Sequence, residues 1–130
     1  MHRFLNSKYL REHPNHVVVV GTMGGGIPIP RDVQEVLLSP QVHVFPTKRS
    51  ITGYRQDYYT VAEYLPVFER ALERLEGQIA QHPAFTFIIT MVGAGSADEY
   101  DIFSEVVKPA FVDRLRRFPN VELVPEFMGL

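Results

Sequence analysis

Cysteine is absent from this 130-residue chain, which excludes disulfides, thiolate catalysis and thiolate metal sites. Charge of one sign is also lacking. Thirteen Lys+Arg against fifteen Asp+Glu leave a formal net charge of −2, too little for a global pull toward nucleic acid or anionic membrane. No apolar run approaches the ~20 residues that cross a bilayer. The opening Met1-His2-Arg3-Phe4-Leu5-Asn6-Ser7-Lys8 has no continuous apolar stretch of the secretory type. The five histidines, 2, 13, 16, 43 and 82, show no metal-ligand spacing. His16 and His43 fall at strand-type positions, where a structural role is expected. No Walker lysine follows a glycine loop, and Ser96 lacks the Gly-x-Ser-x-Gly setting of a nucleophile elbow. These absences suit a cytoplasmic protein with neither metal nor resident cofactor.

The composition is nevertheless that of a folded domain. It is 45% hydrophobic and 12% aromatic, enough for a real core at a length that fits one domain. Residues 1–15 are polar and form an extension or a short helix over Arg3–Arg11; residues 16–130 form the domain. Val17–Val20 is an unbroken β-branched run, the pattern of a buried parallel strand. Pro30 can open a short helix over Arg31–Leu38, closed by Ser39-Pro40. Val42–Phe45 is the second strand, followed by a long polar and aromatic loop over 46–59.

Val61, Leu65, Phe68, Leu72, Leu75 and Ile79 are spaced 4-3-4-3-4 and predict a helix, with Thr60 and Glu63 at capping-box spacing. Pro66 conflicts with that helix and should kink it or move its start. Phe85–Val92 predicts the third strand. Asp101 can cap a last helix over Ile102–Phe118, with Pro109 as a kink, and Val121–Val124 closes the chain as a strand. Strand and helix alternate throughout. That order implies a mostly parallel central sheet with helices on both faces, a three-layer α/β fold.

Two apolar strands each run into a glycine-rich loop. Val17–Val20 leads into Gly21-Thr22-Met23-Gly24-Gly25-Gly26, and Phe87–Val92 leads into Gly93-Ala94-Gly95-Ser96. Glycines at strand carboxyl ends let backbone N–H groups approach a phosphate. Two such loops could hold a pyrophosphate from both sides, or merely turn the chain. Lys48, Arg49 and Arg55 are candidate phosphate cations; surface solvation is the plainer role for at least one of the arginines. Tyr54, Tyr58 and Tyr59 are candidate base platforms or packing residues. Arg114, Arg116 and Arg117 on the last helix read as a solvated face.

Three stretches together resemble the macrodomain ADP-ribose-binding fold, in the branch of the terminal ADP-ribose protein glycohydrolase and short bacterial relatives. They are Val20-Gly21-Thr22-Met23-Gly24-Gly25-Gly26-Ile27, Phe45-Pro46-Thr47-Lys48-Arg49, and Phe87–Gly95 with its Thr90-Met91-Val92-Gly93-Ala94-Gly95 end. The likeness spans about residues 16–126 by pattern. Gly21-Thr22 stands where the family usually carries an asparagine, and Ile27-Pro28-Ile29-Pro30 interrupts the helix that normally begins beside the diphosphate. The resemblance implies a three-layer macrodomain-like architecture and an ADP-ribose or NAD-derived nucleotide held by Gly21, Thr22, Met23, Gly24, Gly25, Gly26, Thr47, Arg49, Tyr54, Thr90, Val92, Gly93, Ala94, Gly95 and Ser96. It also implies that Lys48 attacks the distal ribose as an amine, assisted by an acid near the second glycine loop, a place Asp98 occupies one residue late. Lys48 otherwise serves as a phosphate clamp or an ordinary loop cation, and Asp98 as a helix-terminus acid. Three functions follow: a nucleotide binder, an ADP-ribosyl hydrolase with an ADP-ribosylated macromolecule as partner, and a non-catalytic protein-interaction module.

Overall fold

A computed structural model describes residues 7–22, 41–49, 55–94 and 98–128. The expected helix over 31–38 and the first residues of the expected N-terminal helix lie outside these. Four strands form one sheet: β1 (His16–Gly21), β2 (Val42–Phe45), β3 (Thr86–Ile89) and β4 (Val121–Leu123). Their order is β2-β1-β3-β4, and every pairing is parallel. β1 lies in the interior, with Val18 in register with Val42 on one side and Ile88 on the other. This placement explains its unbroken valines: both faces of the strand are covered.

Alternation along the strands separates two layers of packing. Val19, Phe45, Phe87 and Ile89 point to one face, into a cluster with α2 (Val61–Gln81) and the helix over 103–115, α3. Val18, with Val20 and Val42 beside it, points to the other, against Leu10 and Tyr9 of α1 (Ser7–Glu12). The chain steps from β2 across β1 to β3, and then outward to β4. Two steps in the same direction with right-handed crossovers put α2 and α3 on one face, and the shared cluster places them there.

α2 begins where its capping box predicts. The Thr60 hydroxyl accepts from the Glu63 amide, and the Glu63 carboxylate accepts from the Thr60 amide. Pro66 does not move that start. It lies inside the helix on the exposed side, where the carbonyl of Ala62, also exposed, can turn to water. The buried face is Tyr64, Phe68, Ala71, Leu72, Leu75 and Ile79. Leu65, assigned to that face by spacing, is 46% exposed. Tyr64 takes its place, one turn before Phe68, because its hydroxyl finds the carbonyl of Pro46 at 2.7 Å.

β3 is shorter than the apolar run. Thr90 closes the ladder: its amide makes the last bond to the Val19 carbonyl, its hydroxyl donates to the same oxygen, and the Val92 amide then turns back onto the Thr90 carbonyl. α3 contains π-type turns over Phe103–Val107 and Phe111–Leu115 on either side of Pro109. Widened turns of this kind take up the hydrogen bond that a proline cannot make. No helix among the described residues is long and apolar enough to cross a membrane.

Candidate functional site

The strand order reverses between β1 and β3: from β1 the chain goes to β2 on one side, then to β3 on the other. In an open parallel sheet such a reversal leaves a crevice outside the strand carboxyl ends. The two glycine-bearing turns leave from these two strands, and the structure brings their first residues into contact. A methyl group placed on Gly21 would stand 3.4 Å from the Gly93 amide nitrogen and 3.1 Å from Thr47 Oγ1. Gly93 has φ +88 in a turn closed by the Ala94 amide on the Met91 carbonyl at 3.1 Å, a conformation that side chains resist. Met23, Gly24, Gly25, Gly26, Tyr54, Gly95 and Ser96 lie outside the described residues.

Thr47 organises this edge and is 1% exposed. Its hydroxyl accepts from the Thr22 amide at 3.0 Å, and the Thr22 hydroxyl accepts from the Thr47 amide at 3.0 Å. This reciprocal pair ties the end of β1 to the end of β2. The Thr47 methyl lies beside Gly93, near Val107 and Ile102 of the last helix. Tyr64 supports the segment from below, and burial pushes its phenol well above the usual tyrosine range. Two more of the expected ligand residues are, like Thr47, built into the frame. Thr90 spends its hydroxyl on Val19, and the Val92 side chain is 1% exposed within the core.

The loop after β2 returns on itself. Lys48 and Tyr58 form an isolated antiparallel bridge, and the Arg49 amide donates to the Asp57 carbonyl at 2.7 Å. The Lys48 ammonium lies 5.5 Å from the centre of the Tyr58 ring. Arg49 pairs with Glu63 at 2.5 Å and lies over Tyr59. Glu63 is held below the usual carboxylate range by the Thr60 amide first and by Arg49 next. Arg55, which opens a short 3-10 turn through Asp57, donates to the Tyr100 hydroxyl at 2.5 Å, joining the loop after β2 to the loop after β3. Asp57 is 2% exposed.

The acidic run before α3 is a helix terminus. Asp98 Oδ1 accepts from the Phe103 amide at 2.8 Å. Asp101 stands at the expected cap position, with φ 62 and its carbonyl accepting from the Glu105 amide, while the side chain that caps is that of Asp98. An aspartate tolerates that left-handed geometry better than most residues. Among the described residues no three His, Asp or Glu side chains gather to hold a metal ion.

Sequence reasoning named Thr22 and Thr47 but missed their pairing, which follows only from the register of Gly21 with Phe45. It missed Tyr100 and the burial of Asp57, for which periodicity carries no signal. Compared with protein-family models, curated proteins and solved structures, the chain matches none.

Proposed function

We propose that this chain binds ADP-ribose or a related NAD-derived nucleotide at the β1/β3 crevice. The observation that carries the reading is the contact of Gly21 with Gly93 at the point where the strand order reverses. Open α/β sheets take ligands at such a point, and glycine allows backbone amides to reach a phosphate. Lys48, Arg49 and Arg55 stand on the loop beside it, interleaved with Tyr58 and Tyr59. Cations offer phosphate recognition and tyrosine rings offer a face for a base. The three macrodomain-like sequence stretches make ADP-ribose the first ligand to try, with an ADP-ribosylated macromolecule as the corresponding partner. The crevice argument by itself asks only for a phosphate-bearing nucleotide.

Hydrolysis of an ADP-ribosyl linkage is the second reading, and it asks for more. The Lys48 amine must leave the Tyr58 ring, lose its proton and reach the ribose C1″, while the Asp98 carboxylate must be spared from the Phe103 amide. Binding needs neither movement and therefore ranks first. Calorimetry with ADP-ribose, NAD and ADP tests it: binding of one or more is expected, and no heat from any of them at millimolar concentration leaves only the interaction module. Lys48→Ala separates the first two readings. Turnover lost with binding retained assigns catalysis to Lys48, and turnover unchanged removes it from that role.

A further inference from the structure

Arg55 and Tyr100 stand on loops that flank the carboxyl end of β1, because β2 and β3 are its two neighbours in the sheet. Their contact therefore joins the two loops on either side of the carboxyl end of β1. Each partner stands near a fixed point of its own loop. Asp57, two residues from Arg55, accepts the amide of Arg49. Ile102, two residues from Tyr100, lies 3.8 Å from a methyl group placed on Gly93.

The three cations of the loop are not equivalent. Arg49 is neutralised by the Glu63 carboxylate, and Lys48 lies over the Tyr58 ring. Arg55 donates to a phenol oxygen, an acceptor that carries no charge in its protonated form, and its guanidinium carbon lies 5.7 Å from the Tyr100 ring centre. The Glu99 carboxylate also attracts it, without a hydrogen bond between them. Its side chain is exposed and can swing. A guanidinium forms stronger, bidentate bonds with a phosphate than with a phenol.

We propose that Arg55 and Tyr100 form an anion-operated clasp, in which a diphosphate entering the crevice takes Arg55 from the Tyr100 hydroxyl. This rests on the nucleotide reading above and narrows its ligand to one recognised through its diphosphate. The exchange makes Tyr100 a competitor for Arg55, so the two residues have opposite effects on affinity.

Calorimetry of the full chain with ADP-ribose and with pyrophosphate as the bare anion tests the clasp, circular dichroism confirming that each variant is folded. Arg55→Ala should weaken pyrophosphate binding about tenfold or more, the scale of a lost charge-assisted bond. Tyr100→Phe, which keeps the ring and removes the competing oxygen, should tighten it several-fold. Pyrophosphate that fails to bind wild type, or binds wild type and Arg55→Ala alike, overturns the clasp. So does a Tyr100→Phe chain that binds as weakly as Arg55→Ala. In each case ADP-ribose binding by the wild type leaves the nucleotide reading standing, whereas wild type that binds neither compound removes both.

Discussion

Thr47 does two jobs with two different atoms. Its hydroxyl satisfies the Thr22 amide, and its methyl fills space over Gly93. Thr47→Val keeps the shape and strands the amide, at a cost of about 1–3 kcal/mol. Thr47→Ser keeps the oxygen and opens a methyl-sized gap, at about 1 kcal/mol. Urea unfolding should therefore rank wild type above Ser and Ser above Val, with the denaturant slope unchanged; the reverse order would assign the residue to packing alone. His43, half-buried on β2, is the titrating counterpart. Burial first and the charge of Arg74 second hold its pKa below 6.5. The folded state thus binds the proton less readily than the unfolded chain, and stability falls as pH drops from 6.5 toward the lowered value. His43→Gln should lessen the loss of stability across that window relative to wild type, as read by thermal melts at stepped pH. Little in the sequence marks these roles. A threonine after a strand looks the same whether it faces a ligand or a neighbouring amide.

Elements were more legible than residues, because helices and strands announce themselves through periodicity and caps. The Thr60–Glu63 box and the apolar spacing of α2 are local signals, and the helix runs Val61–Gln81 as they require. The misplacement of Leu65 has a non-local cause: Tyr64 is drawn inward by a carbonyl on another segment. One arginine of α3 shows the same limit. Arg114, half-buried, bonds both Glu69 and Glu76 of α2 and so belongs to a helix–helix seam; Arg117, which shares Glu76, and Arg116 are exposed, as a solvated face requires. Pro66 provides a test at this scale. Pro66→Ala restores the donor for the Ala62 carbonyl and removes the ring clash, a gain of up to about 3 kcal/mol in a helix interior, offset by about 0.4–1 kcal/mol for the freer unfolded chain. Thermal unfolding should show a rise in Tm. A fall would mean that the backbone geometry set by the proline is needed to seat Tyr64 under Pro46.

At the scale of the whole molecule, alternating strands and helices predicted a parallel sheet but not the order of its strands. Periodicity describes each element separately, whereas order depends on which apolar faces meet after collapse. That order, β2-β1-β3-β4, is what turns two glycine turns more than seventy residues apart into neighbours. A ligand seated between them has a consequence that one seated on a single loop lacks: it must slow amide hydrogen exchange on both sides together. β1, bonded on both edges, should exchange slowly with or without ligand. The turn amides at Gly21–Thr22 and Gly93–Ala94 are the informative ones, since they sit where the ladder ends. Hydrogen–deuterium exchange with saturating ADP-ribose should protect both pairs in parallel, with the same ligand concentration dependence, while the Asn120–Leu123 region at the far edge stays unchanged. Protection confined to one turn would mean that the crevice is not the site. The contact between Gly21 and Gly93 would then be a packing solution, in which two residues without side chains let three strand ends close around Thr47.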